Sequence, residues 1–310
     1  MKIAITGASG HFGRMATDRL LETIAPHDLI LLSRTPAKLA DYAARGCVVR
    51  EGDFDDPAGL PAALAGAERM LLISGTRVGK RVPQHGAAID AAREAGVRHV
   101  IYTSFLGAGD PDNPSEAVTD HRGTEALLRQ SGLAWTSLRD AQYADAVTDV
   151  IAPMVAASGV MVSVAGDGRM PFVWREDCVD AAVAVLLGAG EPNRAYDITG
   201  PAPLPFREVA ALAAEFMGKP VRFDVTDETG LYAIFDALGV PREPVDNLVV
   251  GDNPWNSNDI VSLEVAIRDG FFDVESDDFE RLTGRKPRSL RALFEIGAGA
   301  RHATAGASAA

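Results

Sequence analysis

The chain has 310 residues, 47% of them hydrophobic and 24% charged, with 43 acidic against 30 basic side chains and a net charge of -13. That length can bury a large core in one or two units, and the balance is that of a water-soluble globule rather than a fibrous or disordered chain. The acidic excess argues against nucleic acid or an anionic membrane as partner, and no apolar run is long enough to span a bilayer.

Strand-like and helix-like patterns alternate from the start. Met1 to Ile5 reads as a strand and feeds a turn with glycines at Gly7, Gly10 and Gly13, followed by an amphipathic helix marked by Met15, Leu20, Leu21 and Ile24. Such a turn fits a dinucleotide pyrophosphate. The first glycine allows the tight bend, the second lets backbone approach phosphate, and the third lets helix pack on strand. Ser9, His11 and Phe12 fill the turn and the first helical positions, whose free amides face the phosphates. No leader precedes this first strand, so the expected setting is the cytoplasm.

Leu29 to Leu32 reads as the second strand and ends in Ser33-Arg34-Thr35-Pro36-Ala37-Lys38. An NAD-specific fold places a carboxylate there to accept from the ribose 2′-OH. Here Arg34 stands instead, with Thr35 as N-cap, Pro36 at the first helical position and Lys38 on the first turn. The two cations suit a 2′-phosphate, hence NADP(H), although two solvated surface charges would look the same. Cys47 to Val49 reads as the third strand; Asp53 and Phe54 after it are candidates to bond and stack on adenine, or form an ordinary Asp turn. Met70 to Ile73 is the fourth strand, and Ile73 and Ser74 are expected beside the cofactor ribose. A helix over Val82 to Ala95 leads to the fifth strand, His99 to Tyr102, with Thr103 and Ser104 at its carboxyl end and Phe105 lining the pocket.

Glu116 to Gln130 reads as a helix carrying His121, and Ala134 to Leu138 as the sixth strand. Beyond Arg139 the rhythm changes: a helix-like stretch from Tyr143 to Ala157, a strand over Val160 to Val164, a helix over Asp177 to Leu187 and a strand over Ala195 to Ile198. The fold class is therefore α/β, a Rossmann-like doubly wound parallel sheet with a smaller mixed α/β C-terminal lobe. Residues 1–140 are read as the NADP(H) domain, 141–296 as mostly the substrate-binding lobe, with scope for one strand returning to the sheet, and 297–310 as a disordered tail. Cys47 and Cys178 are read as small buried hydrophobes, and the six scattered histidines give no metal-ligand spacing.

With these pieces placed, the sequence resembles the NmrA-like, atypical branch of the short-chain dehydrogenases, and within it the bacterial NADPH:quinone oxidoreductases and triphenylmethane reductases. The matching runs include Thr6-Gly7-Ala8-Ser9-Gly10, Arg34-x-Pro36-Ala37-Lys38, Val82-Pro83-Gln84-His85, Tyr102-Thr103-Ser104 and His121-x-x-Thr124-Glu125-x-x-Leu128-x-x-Ser131-Gly132. Ala165-Gly166-Asp167-Gly168 and Leu282-Thr283-Gly284-x-x-Pro287 extend the match to about residue 295. The resemblance implies NADPH-dependent, flavin-free hydride transfer to a quinone or similar conjugated aromatic small molecule, by a monomer or homodimer. Relatives that act as redox sensors without turnover, and others that reduce or isomerise lignin-type aromatics, supply the two alternatives.

The Tyr-x-x-x-Lys pair of ordinary short-chain dehydrogenases is absent: Tyr102 and Tyr143 are followed four residues on by Leu106 and Val147. The candidate proton donors are then His121, as a group that titrates near neutral pH or as a merely structural histidine, and Tyr143. Gln142, Tyr143 and Trp174 join Phe105 as candidate substrate contacts. Where close relatives have Asn-Gly-Trp-Tyr, this chain has Asp140-Ala141-Gln142-Tyr143, which adds a carboxylate and removes an aromatic ring.

Overall fold

The computed structural model describes residues 1–245 and 256–296, so the tail expected at 297–310 lies outside the described residues. Six apolar runs form parallel strands: β1 (Ile3–Ile5), β2 (Leu29–Ser33), β3 (Val48–Glu51), β4 (Arg69–Leu72), β5 (His99–Phe105) and β6 (Ala134–Asp140). Strand β1 sits centrally, with Ile3 opposite Leu29 on one side and Arg69 on the other. Every residue of β1 and β2 is buried, which is why their sequences run apolar without alternation.

Between the strands run α1 (His11–Leu20), α2 (Ala40–Ala44), α3 (Leu60–Leu64), α4 (Arg81–Glu94) and α5 (Glu116–Gln130). Helix α5 has the predicted limits because Ser115 caps it, its side chain accepting from Val118 N–H. Strand β4 stops one residue short of the reading, since Ile73 N–H donates to the Thr6 hydroxyl (3.0 Å).

After β6 the chain forms α6 (Ala144–Ala146), a π-helical turn (Val147–Ile151), α7 (Ala152–Ser158), β7 (Val160–Ser163), β8 (Arg169–Met170) and α8 (Arg175–Leu187). Strand β9 (Arg194–Ile198) then returns to the main sheet and pairs in parallel with β6, giving the order β3-β2-β1-β4-β5-β6-β9. The rest comprises β10 (Leu204–Pro205), α9 (Phe206–Met217), β11 (Arg222–Val225), α10 (Glu228–Ala237), α11 (Ser257–Arg268) and α12 (Asp278–Thr283). Residues of α1 and α8 build one apolar layer on the sheet; α3, α4 and Leu128 of α5 build another. The sheet is therefore covered on both faces, the doubly wound arrangement. No helix among the described residues is long and apolar enough to cross a membrane.

Candidate active site

The order reversal in the sheet lies at β1 and β4, and ligands of such sheets bind outside the strands' carboxyl ends there. At that edge Gly7 has φ +61°, and Gly10 caps α1 without a side-chain bond to the first-turn amides. Those amides are the unsatisfied donors of a helix start, with the positive end of its dipole behind them. Gly13 has no room for a side chain: a Cβ would stand 2.5 Å from the Gly7 carbonyl oxygen and 2.6 Å from Ala8 Cα. Gly7, Gly10 and His11 are exposed, whereas the Phe12 ring is buried, so Phe12 offers the loop its backbone. Ser9 reaches across to β2, its hydroxyl 2.9 Å from that of Ser33. This is a cradle that a pyrophosphate fits.

Just past β2, Arg34 and Lys38 are both exposed, and neither side chain makes a hydrogen bond or ion pair with a described residue. Thr35 does cap the turn and Pro36 does open it, but the turn is a 3-10 helix and the Thr35 side chain makes no capping bond. Arg14, a residue the sequence reading passes over, braces the same turn by donating to the Lys38 carbonyl and pairing with Asp41 (3.0 Å). The Arg34 charge also reaches Asp55, whose carboxyl is held below its ordinary range first by a hydrogen bond from Gln84 and then by Arg77 and Arg34. Asp53 accepts from Asp55 N–H (3.1 Å), so one of its oxygens closes an Asp turn. Phe54 is half-buried and meets the His85 ring edge-on at 6.2 Å. Ser74 N–H donates to Thr103 Oγ1 (2.8 Å), which ties the ends of β4 and β5 together. The Ser104 hydroxyl is committed elsewhere: it donates to the buried Glu125 (2.8 Å), which also clamps Arg139 through two bonds and takes one from Arg129.

His121 lies in the second turn of α5 and is 4% exposed. Burial, with the charges of Arg81 and His85 behind it, pushes its pKa well below the ordinary value. This corrects the expectation of a histidine that changes charge near neutral pH: the imidazole stays neutral. Its tautomer follows from its neighbours. Gly75 N–H donates to His85 Nε2 (3.0 Å), so His85 carries its proton on Nδ1, facing Thr124 Oγ1 at 2.9 Å. The Tyr102 hydroxyl therefore places its hydrogen on His121 Nδ1, 2.8 Å away, and His121 keeps an N–H at Nε2. Tyr102 lacks a lysine partner but has a histidine one. Phe105 stacks obliquely on the His121 ring (5.9 Å) and meets Phe272 on its other side.

Asp140, at the carboxyl end of β6, is 2% exposed, and its Oδ2 accepts from the Tyr143 hydroxyl (3.1 Å). Its Oδ1 is buried without a hydrogen-bond partner, as is Oε1 of Gln142. Burial pushes the Asp140 pKa up to about 7, against hydrogen bonds from Tyr143 and Cys178 that favour the anion. The same burial, and then the Asp140 charge, raise Tyr143 and Cys178 well above their usual values. The Arg175 guanidinium lies 5.3 Å from the Tyr143 ring centre. Trp174 contributes differently from the expectation: it is 4% exposed and its indole N–H donates to the Ser289 carbonyl (2.8 Å), which leaves it little surface for a ligand.

Residues 7–165 match the family model described as NAD(P)H-binding. The chain is 35% identical over 250 residues to quinone oxidoreductase 2 of Escherichia coli (strain K12), covering 81% of this chain and 86% of that one. The NADPH-dependent quinone oxidoreductase of Escherichia coli, solved in complex with NADPH, superposes with a TM-score of 0.85 at 31% identity over 95% of this chain and 99% of that one. The Citrobacter sp. triphenylmethane reductase complexed with NADP(H) gives 0.81 at 29% identity, with 96% and 99% coverage. An NmrA-like family domain-containing oxidoreductase of Aspergillus flavus is 28% identical over 230 residues, 71% of this chain and 73% of that one.

Proposed function

Because the chain belongs to the NAD(P)H-binding, NmrA-like oxidoreductases, we propose that it is an NADPH-dependent reductase of a quinone or similar conjugated aromatic acceptor, working without flavin. The observation that carries the cofactor half is the loop at Gly7–Gly13 with no space for a Cβ at its third glycine, set beside two exposed cations, Arg34 and Lys38, that make no hydrogen bond or ion pair with a described residue. Bound NADPH supplies a hydride. The amides of Ser9, His11 and Phe12 hold the diphosphate, Arg34 and Lys38 the 2′-phosphate, and Asp53, Phe54, Ile73, Ser74 and Thr103 flank the adenosine and ribose.

The acceptor lies against Phe105, Gln142 and Tyr143 in this reading. Reduction leaves an oxyanion on it, and the chain must stabilise and protonate that oxygen. Tyr143 donates to it, and His121 presents its Nε2–H as a neutral electrophile whose orientation is fixed by Tyr102. Residues 1–140 serve the cofactor and 141–296 mostly the acceptor. The enzyme works in the cytoplasm on a small molecule, as a monomer or homodimer.

The test is NADPH oxidation with a panel of quinones and cationic triarylmethane dyes. Turnover with at least one acceptor, by protein free of flavin, is the expected result. Tight NADPH binding with no turnover on any acceptor rejects the reading and leaves a redox sensor, which cofactor-dependent capture of a partner would reveal. Mass spectra of products separate simple reduction from chemistry on lignin-type substrates.

A further inference from the structure

Asp140 is a buried acid that the mechanism above leaves idle. No cation pairs with it among the described residues, and only one of its oxygens is hydrogen-bonded. The groups facing it are a phenol on the following turn, Tyr143, and a thiol on α8, Cys178. Around these stand Arg175, over the outer side of the Tyr143 ring, and the carboxylates Asp145 and Asp177, which act on Cys178. An anion with an unbonded oxygen and no counter-ion is costly in such a place, and a neutral carboxylic acid is not.

We propose that Asp140 is the proton reservoir of this enzyme, held as a neutral acid and delivering its proton to the reduced acceptor through the Tyr143 hydroxyl. The proposal rests on the reductase reading. Transfer of a hydride to the acceptor, two electrons with one proton, leaves a single oxyanion. The Tyr143 O–H bond breaks and its proton bonds that oxygen. In the resting site the phenol donates to Asp140 Oδ2 (3.1 Å); once Tyr143 turns its hydrogen to the acceptor oxygen, the Asp140 carboxyl donates across the same contact, and its O–H bond breaks in turn and restores the phenol. Asp140 is left as carboxylate and regains one proton from solvent, so each cycle takes up one proton. Tyr143 is the residue that touches the acceptor; Asp140 acts through it. The carboxyl pKa near 7 agrees with this role, since the neutral acid keeps its proton below neutral pH and loses it above.

The experiment measures kcat for a quinone against pH in the wild type, Asp140→Asn and Tyr143→Phe. The wild type is expected to lose activity above about pH 7, by up to about tenfold per pH unit. Asp140→Asn is expected to be at least about tenfold slower at pH 6 and flat across that range, with NADPH affinity unchanged. Tyr143→Phe should also be flat. An Asp140→Asn enzyme that keeps the wild-type profile overturns the proposal. Difference infrared spectra between pH 6 and pH 8 read the acid directly: a protonated-carboxyl band that disappears with rising pH supports it, and no such band refutes it. Burial raises the pKa values of Asp197, Asp259 and Glu264 as well, so the band is assigned to Asp140 by its loss in Asp140→Asn or, where that variant does not fold, by its shift in Tyr143→Phe, which removes the hydrogen bond to this carboxyl. The spectrum also stands apart from the reductase reading, whose own failure is an absence of turnover at every pH.

Discussion

The hydroxyl of Tyr102 lies 2.8 Å from Nδ1 of His121, and both side chains are buried. In ordinary short-chain dehydrogenases a tyrosine is made acidic by a lysine. Here burial raises the Tyr102 pKa instead, so the phenol orients its neighbour and does not ionise. Tyr102→Phe should therefore leave His121 Nδ1 without a donor and free the imidazole to change tautomer. The expected outcome is a fall in kcat with little change in NADPH affinity, and a stability loss of about 1–3 kcal/mol for the unsatisfied ring nitrogen. Steady-state kinetics and thermal unfolding check both, and nitrogen NMR of the histidines checks the tautomer.

Arg34 and Lys38 stand beyond β2 without a hydrogen bond or ion pair to a described residue, so removing one charge breaks no such bond among them. Arg34→Ala should weaken NADPH by about tenfold or more, the worth of a charge-assisted bond to phosphate, and leave NADH nearly unchanged. Calorimetric titration with each cofactor measures the difference. Equal losses would remove the 2′-phosphate assignment.

Gly13 and Gly10 differ in a way that separates packing from ligand approach. A Cβ at Gly13 meets the backbone of Gly7 and Ala8 well inside contact distance, whereas one at Gly10 stops 3.4 Å from the Gly7 carbonyl. Gly13→Ala should cost about 1–3 kcal/mol of stability by forcing α1 away from β1, and cofactor binding with it. Gly10→Ala should fold almost normally and lose binding alone. Melting curves with and without NADPH distinguish the two patterns.

What the sequence made legible was backbone: the strand-turn-helix at residues 1–20, the limits of α5, and the cations after β2 all follow from local periodicity and capping. Side-chain partnerships were not legible, because they depend on which strands become neighbours. Tyr102 and His121 meet across β5 and α5; Gly75 and His85 meet where α4 doubles back on β4; Asp140 meets Cys178 because α8 covers β6. The run from His121 to Gly132 carries the family resemblance, yet its Glu125 is a buried clamp for Arg139 rather than a pocket residue. Likewise Arg285 and Arg288, around the Gly284-to-Pro287 run, close on the fully buried Asp177. Specific sequence here often encodes a buried ion pair.

Glu125 makes that point testable. It accepts from Ser104, Arg129 and Arg139 and is fully buried. Glu125→Gln keeps the shape and removes the charge, leaving Asp197, 3.8 Å away, as the acidic partner of Arg139 among the described residues. The loss should be about 3 kcal/mol or more, as for other broken buried pairs. Denaturant unfolding measures it, and a change below about 1 kcal/mol would mean that Asp197 replaces the lost carboxylate.

Stability should also depend on pH from both sides, with opposite signs. His85 and His121 are buried and His99 half-buried, all three neutral, with pKa values of about 3, well below normal and about 4, chiefly through burial. The unfolded chain binds protons at these sites before the folded one does, so stability falls as pH drops below about 6.5, by up to about 1.4 kcal/mol per pH unit for each group. Asp140 acts the other way. Its folded pKa near 7 lies above the ordinary carboxyl value, so the folded chain holds a proton that the unfolded chain has released. Its contribution is complete in acid and is lost as pH rises from about 4 to 7, by up to about 4 kcal/mol over the interval. Asp140→Asn removes that slope and no other. Unfolding free energies at pH 5 and pH 8 should therefore differ less favourably for acid in the variant than in the wild type, with the variant gaining relative stability at the higher pH. Parallel curves for the two proteins would mean that Asp140 is ionised throughout.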